Sequence, residues 1–119
     1  MTPSSAITAL DRQLRKHGHD ALLRRQAWAG TVRTSADLPV RVCLRGYRPD
    51  ELTGGIVQGD SEIVISPTEL GASAWPDGAG ELPRQGDVII SGSRSLAVIA
   101  VDPRYIGGDL VRINLQVRG

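Results

Sequence analysis

The chain has 119 residues, enough for a single domain with one modest core. Its 14 basic and 13 acidic residues nearly balance, which argues against the one-sided positive charge that a phosphate-binding surface requires. Aromatic residues make up only 3% and phenylalanine is absent, so the core must rest on Val, Ile and Leu. These residues favour β-strands. A single cysteine, Cys43, excludes an internal disulfide, and we interpret it as a small buried hydrophobe.

The first predicted element is an amphipathic helix over residues 4–17, with Ser4 or Ser5 as its N-cap. Basic residues in the last turn oppose the negative end of the helix dipole. Gly18 is predicted to end the helix in the left-handed conformation. Three apolar residues spaced i, i+3 and i+7 share the buried face: Ile7, Leu10 and Leu14.

Short strand candidates separated by turn signals follow the helix. Residues 110–118 are the most regular, because every second residue is apolar. Ser91-Gly92-Ser93-Arg94 predicts a hairpin turn. The other candidates are 21–25, which is ambiguous, 40–47, 62–66, 88–91 and 96–101. The chain is therefore predicted to be a single domain over residues 1–119. Its body, residues 20–118, is predicted to be a mainly β, small antiparallel barrel or sandwich.

Two connections are long for so small a domain, about 48–60 and about 71–85. Both contain several glycines and few apolar residues, so we expect both loops to be mobile. Trp75 lies in the second loop and has two interpretations. It is either an interface anchor, as tryptophan often is, or a lid that folds back over the core.

The sequence shows no recognisable catalytic or metal-binding pattern. There is no nucleophile elbow, no zinc-protease motif and no phosphate loop. His17-Gly18-His19 is interpreted as a pair of surface histidines at a helix end, because partner cysteines are absent. We therefore expect neither enzymatic activity nor a cofactor or metal, and no apolar run is long enough to predict a membrane span.

Taken in order, these segments resemble the small head–tail joining proteins, also called head-completion or neck proteins, of tailed phages and prophages. The quoted similarity includes Leu10-Asp11-Arg12-Gln13-Leu14, Arg45-Gly46-Tyr47-Arg48-Pro49-Asp50-Glu51-Leu52, Ile63-Val64-Ile65-Ser66-Pro67-Thr68 and the C-terminal Gly86-Asp87 turn before a hairpin and a closing strand. The resemblance covers most of the chain in order and size.

The resemblance implies a structural virion protein, assembled in the host cytoplasm, that docks as a ring between the portal and the tail. Its expected partners are portal or head-connector proteins, tail proteins and further copies of itself, with packaged DNA in the ring lumen and no sequence-specific DNA contact. We expect interface residues in the two loops, namely Trp75, Arg48, Glu51 and Leu52. Two alternatives stay open, a tail-terminator or other small tail-completion protein, and a small-barrel nucleic-acid-binding module.

Overall fold

The structure, a computed structural model, describes residues 2–72, Trp75 and residues 82–119. A one-turn 3-10 helix, Pro49–Glu51, lies between the second and third strands. None of the helices in the described ranges is both long enough and apolar enough to cross a membrane. The elements in chain order are α1 (Pro3–His17), β1 (His19–Ala29), β2 (Val32–Gly46), β3 (Ser61–Ile65), α2 (Pro67–Ala72), β4 (Val88–Ser91), β5 (Arg94–Ile106) and β6 (Asp109–Arg118).

The six strands form a closed antiparallel barrel in the order β1-β2-β3-β6-β5-β4. This confirms the predicted fold class, a mainly β domain with an N-terminal helix. The seam that closes the barrel is short, because β1 and β4 pair only over Leu22↔Ile90, Leu23↔Ile89 and Arg24↔Val88. Closure leaves no free sheet edge around the body of the barrel.

Alternating residues from every strand fill the interior of the barrel. The predicted face of β6 is confirmed: Val111, Ile113, Leu115 and Val117 are all buried. Leu23 from β1, Val42 from β2, Ile63 from β3 and Ile89 from β4 meet them, and each is fully buried. Because the core contains no phenylalanine, its cohesion comes from many aliphatic contacts.

Helix α1 lies on the outside of the barrel, where Leu10 and Leu14 pack on Val64 of β3 and on the half-buried Cys43. The prediction that Ser4 or Ser5 caps this helix is wrong. Thr2 is the N-cap: its side chain accepts a bond from the Ser5 backbone N–H. Pro3 then occupies the first turn, where its missing N–H has no consequence.

Gly18 does not adopt the predicted left-handed conformation, because its φ of −88° and ψ of −173° are extended. Glycine is needed for a different reason. A Cβ at this position would lie 2.5 Å from the Val42 carbonyl oxygen and 2.6 Å from that of Leu14. The chain therefore passes from α1 into β1 through a gap that only glycine fits.

The predicted strands match in place but not in length. The prediction for β4 is confirmed residue for residue, and the hairpin at Gly92 is confirmed with a φ of 61°. In contrast, β1, β2 and β5 extend well beyond residues 21–25, 40–47 and 96–101. Helix α2 was not predicted. The loop at 48–60 contains a helical turn, and the loop at 71–85 lies largely outside the described residues, so its mobility stays a prediction.

We expect Gly18→Ala to destabilise the protein by about 1–3 kcal/mol, the usual cost of overpacking, because two backbone carbonyls would have to move. Gly46→Ala is the matched control, since a Cβ there meets nothing within 4 Å. Chemical denaturation of both variants measures the difference. Equal midpoints for the two variants would contradict the tight passage at Gly18.

Candidate functional site

Two hairpins extend beyond the barrel wall as paired-strand arms. The first arm is residues 25–36, where β1 and β2 pair with each other beyond the seam with β4. The second arm is residues 104–112, where β5 and β6 pair only with each other. Both β1 and β5 run antiparallel to β4, so they run in the same direction. The two arms therefore project at the same end of the barrel.

The arms carry the most exposed large apolar side chains in the described ranges. Trp28 is 70% exposed and Val32 is 61% exposed, both at the tip of the first arm. Arg33 is directly opposite Trp28 in the strand register, and its guanidinium carbon lies 5.8 Å from the indole centroid. Tyr105 of the second arm is 55% exposed. Aromatic residues and arginine are the types most enriched at protein interfaces.

A buried ion pair lies at the base of the first arm. Arg25 donates from Nε to Oδ1 of Asp87 at 3.0 Å and from Nη2 to Oδ2 at 2.9 Å, and both side chains are almost fully buried. Asp87 also accepts the Arg84 backbone N–H, so it fixes the turn before β4 as the sequence indicated. The structural role expected for Asp87 is confirmed.

Trp75 is buried, with 3% of its surface exposed, and packs in the barrel core. The Arg25 guanidinium stacks over its ring at 4.6 Å, and its indole N–H donates to the Ala36 carbonyl at 2.9 Å. Of the two interpretations that the sequence left open, the structure shows the lid. The selection of Trp75 as an exposed anchor is corrected, because all its polar and apolar groups are already engaged within the chain.

The loop after β2 places the other three expected residues together. Arg48 is exposed and its Nε lies 3.5 Å from Oε1 of Glu51, while Leu52 is half-buried beside them. Asp60 ties the far end of this loop to β6, because Arg118 donates to its Oδ1 at 2.7 Å and Gln116 to its Oδ2 at 2.8 Å. β2 runs away from the arm tips, so this loop leaves at the opposite end of the barrel.

A recess of about 300 Å³ lies between this loop and the outer wall of the barrel. We call it the recess. Its apolar lining includes Tyr47, Ile56, Ala100 and Val101. The charged residues that line it are Glu51, Glu62, Asp102 and Arg104.

Carboxylates dominate the electrostatics of the recess. Arg45 bridges two of them, donating to Oε2 of Glu51 at 3.1 Å and to Oε1 of Glu62 at 3.0 Å. Its hydrogen bonds lower the pKa of Glu51 to about 2, with help from the Arg48 backbone N–H. Burial raises the pKa of Tyr47, and the negative charge of Glu62 adds to that effect. The recess therefore holds ionised carboxylates beside a half-buried aromatic ring.

The histidines and the cysteine do not form a metal site in the described ranges, where no three His, Cys, Asp or Glu side chains are grouped to hold an ion. His17 is exposed as expected, but His19 is half-buried, with Nε2 2.9 Å from Oγ of Ser91. Neither the family models nor the curated sequences compared with this chain give a match.

The sequence interpretation missed Trp28, Val32 and Arg33. The available signal was Gly30, which takes a positive φ of 67° and starts the turn between β1 and β2. A glycine followed by the β-branched Thr31 and Val32 is consistent with a hairpin. It was not used because the arm, exposed on much of its surface, lacks the apolar alternation of a core strand.

The two tryptophans give a matched pair of variants. Trp75→Ala should destabilise the protein by about 3–5 kcal/mol, because it opens a cavity in the core and removes the ring over Arg25. Trp28→Ala should change the free energy of unfolding by less than about 0.5 kcal/mol, because Trp28 is mostly in solvent. Urea denaturation decides this, and a folded, undiminished Trp75→Ala variant would contradict the burial of Trp75.

Glu51 should contribute stability that depends on pH. Its pKa is lowered from 4.5 to about 2, so the folded state binds this proton less readily than the unfolded state. Its contribution is present above pH 4.5 and disappears as the pH falls towards 2. The difference in unfolding free energy between wild type and Glu51→Gln should follow that course in urea titrations. A difference that is constant with pH would show that Glu51 is not held by Arg45.

Proposed function

We propose that this protein joins the heads and tails of a tailed phage or prophage, docking as a ring between the portal and the tail. One observation carries the proposal. The closed barrel presents two chemically different ends, an aromatic end at the tips of both arms and a charged end at the loop after β2.

The aromatic end supports docking to another protein. Trp28, Val32 and Tyr105 lie on paired strands that a rigid barrel positions, so binding would fix few additional side chains. Large, exposed and pre-positioned aromatic groups are typical of interface anchors. In this proposal Trp28 takes the anchoring role that the sequence interpretation gave to Trp75.

The charged end supports a second, separate contact. Arg48 and Asp50 have side chains that are 74% and 77% exposed, and Glu51 and Leu52 lie beside them. A connector between two assemblies needs a distinct surface for each of them. In this proposal the protein acts in the virion, after assembly in the host cytoplasm, and packaged DNA occupies the ring lumen.

The experiment is deletion of the gene in its phage or prophage, followed by electron microscopy of the lysate. We expect DNA-filled heads separate from finished tails, and purified wild-type protein added to the lysate should restore joined particles. Tails of irregular length with normal heads would instead identify a tail-terminator. Joined, infectious particles from the deletion strain would overturn the proposal.

A further inference from the structure

We propose that copies of this chain associate head to tail, with the Trp28–Arg33 tip of one copy seated in the recess of the next. The inference specifies how the ring of the proposed function forms, and it rests on that function only for its biological setting. The recess lies under Glu51, between the loop after β2 and strands β5 and β6.

The tip is a compact side-chain unit that is free to bind. Trp28 and Arg33 lie opposite each other on one face of the first arm, so an aromatic plane and a cation are presented together. Within the described part of the chain, Arg33 forms no ion pair, whereas Arg24 at the base of the arm pairs with Asp37 at 2.8 Å. The tip therefore carries an unneutralised positive charge.

The recess matches this unit in size and in polarity. Its volume of about 300 Å³ is at the lower end of the range of ligand pockets, and it suits a side chain better than a large ligand. Tyr47, Ile56 and Val101 provide an apolar lining for the indole. No residue of the first arm lines the recess, so the chain does not fill it with its own tip.

Charge favours a second copy as the occupant. Three carboxylates, from Glu51, Glu62 and Asp102, line the recess, and they face two guanidinium groups, from Arg104 in the lining and Arg45 behind it. Three negative and two positive charges leave an excess of one negative charge. The single positive charge of Arg33 complements this excess.

The geometry also fits assembly into a ring. The tip and the recess are different surfaces, so their contact is heterologous and leaves a free tip and a free recess on the resulting pair. Such contacts continue until the ring closes. A symmetric tip-to-tip contact would stop at a dimer.

The experiment uses the intact purified protein in sedimentation velocity over a series of concentrations. Wild type should associate with rising concentration, less strongly at high salt. Two variants should weaken this at least about tenfold, the loss expected for a hot-spot residue. Trp28→Ala removes the tip, and Ala100→Arg fills the recess from an exposed position with a charge that repels Arg33. Tyr105→Ala, another exposed aromatic on the other arm, is the matched control and should behave as wild type.

Mixing the two impaired variants provides the decisive measurement. The mixture retains one intact tip and one intact recess, so it should form one-to-one dimers and nothing larger. A mixture that stays monomeric, an Ala100→Arg variant that associates as wild type does, or wild type that stays monomeric at every concentration would each overturn the inference. Circular dichroism confirms that both variants are folded. Head–tail joining restored by a variant that does not self-associate would overturn this inference and leave the proposed function standing.

Discussion

The buried ion pair between Arg25 and Asp87 is the interaction on which the closure of the barrel depends. The β1–β4 seam has three residue pairs, ending at Arg24↔Val88, and continuing the register by one residue would bring Arg25 opposite Asp87. The side chains extend the seam at that point with two hydrogen bonds of 3.0 Å and 2.9 Å. Breaking a buried pair of this kind by removing one partner leaves an uncompensated charge and costs about 3–5 kcal/mol.

The same pair organises its surroundings. Arg25 carries the Trp75 ring on its guanidinium, and Trp75 in turn donates to the carbonyl of Ala36 on β2. One charged group therefore links β1, the start of β4 and the lid of the core, at the point where the first arm leaves the barrel. Because this base is rigid, the exposed tip beyond it is held in a defined position.

The arm also shows how the protein limits unwanted pairing along β2. Beyond the last contact with β3, the outer edge of β2 could accept another strand. Pro39 cannot donate a ladder hydrogen bond there, and Glu69 of α2 accepts the Arg41 backbone N–H at 2.7 Å. These two features leave side-chain contacts at the tip as the favoured mode of association, in agreement with the proposed seating of Trp28 and Arg33.

The sequence by itself determined the fold class, the helix α1 and the strands whose apolar residues alternate, because local periodicity reports directly on which face is buried. β6 and β4 are the examples, with Ile113 and Ile89 at 0% exposure. Tertiary structure alone decided which tryptophan is buried and which is exposed. Trp75 enters the core because Arg25 and Ala36, about 40 to 50 residues earlier in the chain, provide its partners. Trp28 stays in solvent because its arm extends past the last strand that could cover it, and neither condition is visible in local spacing.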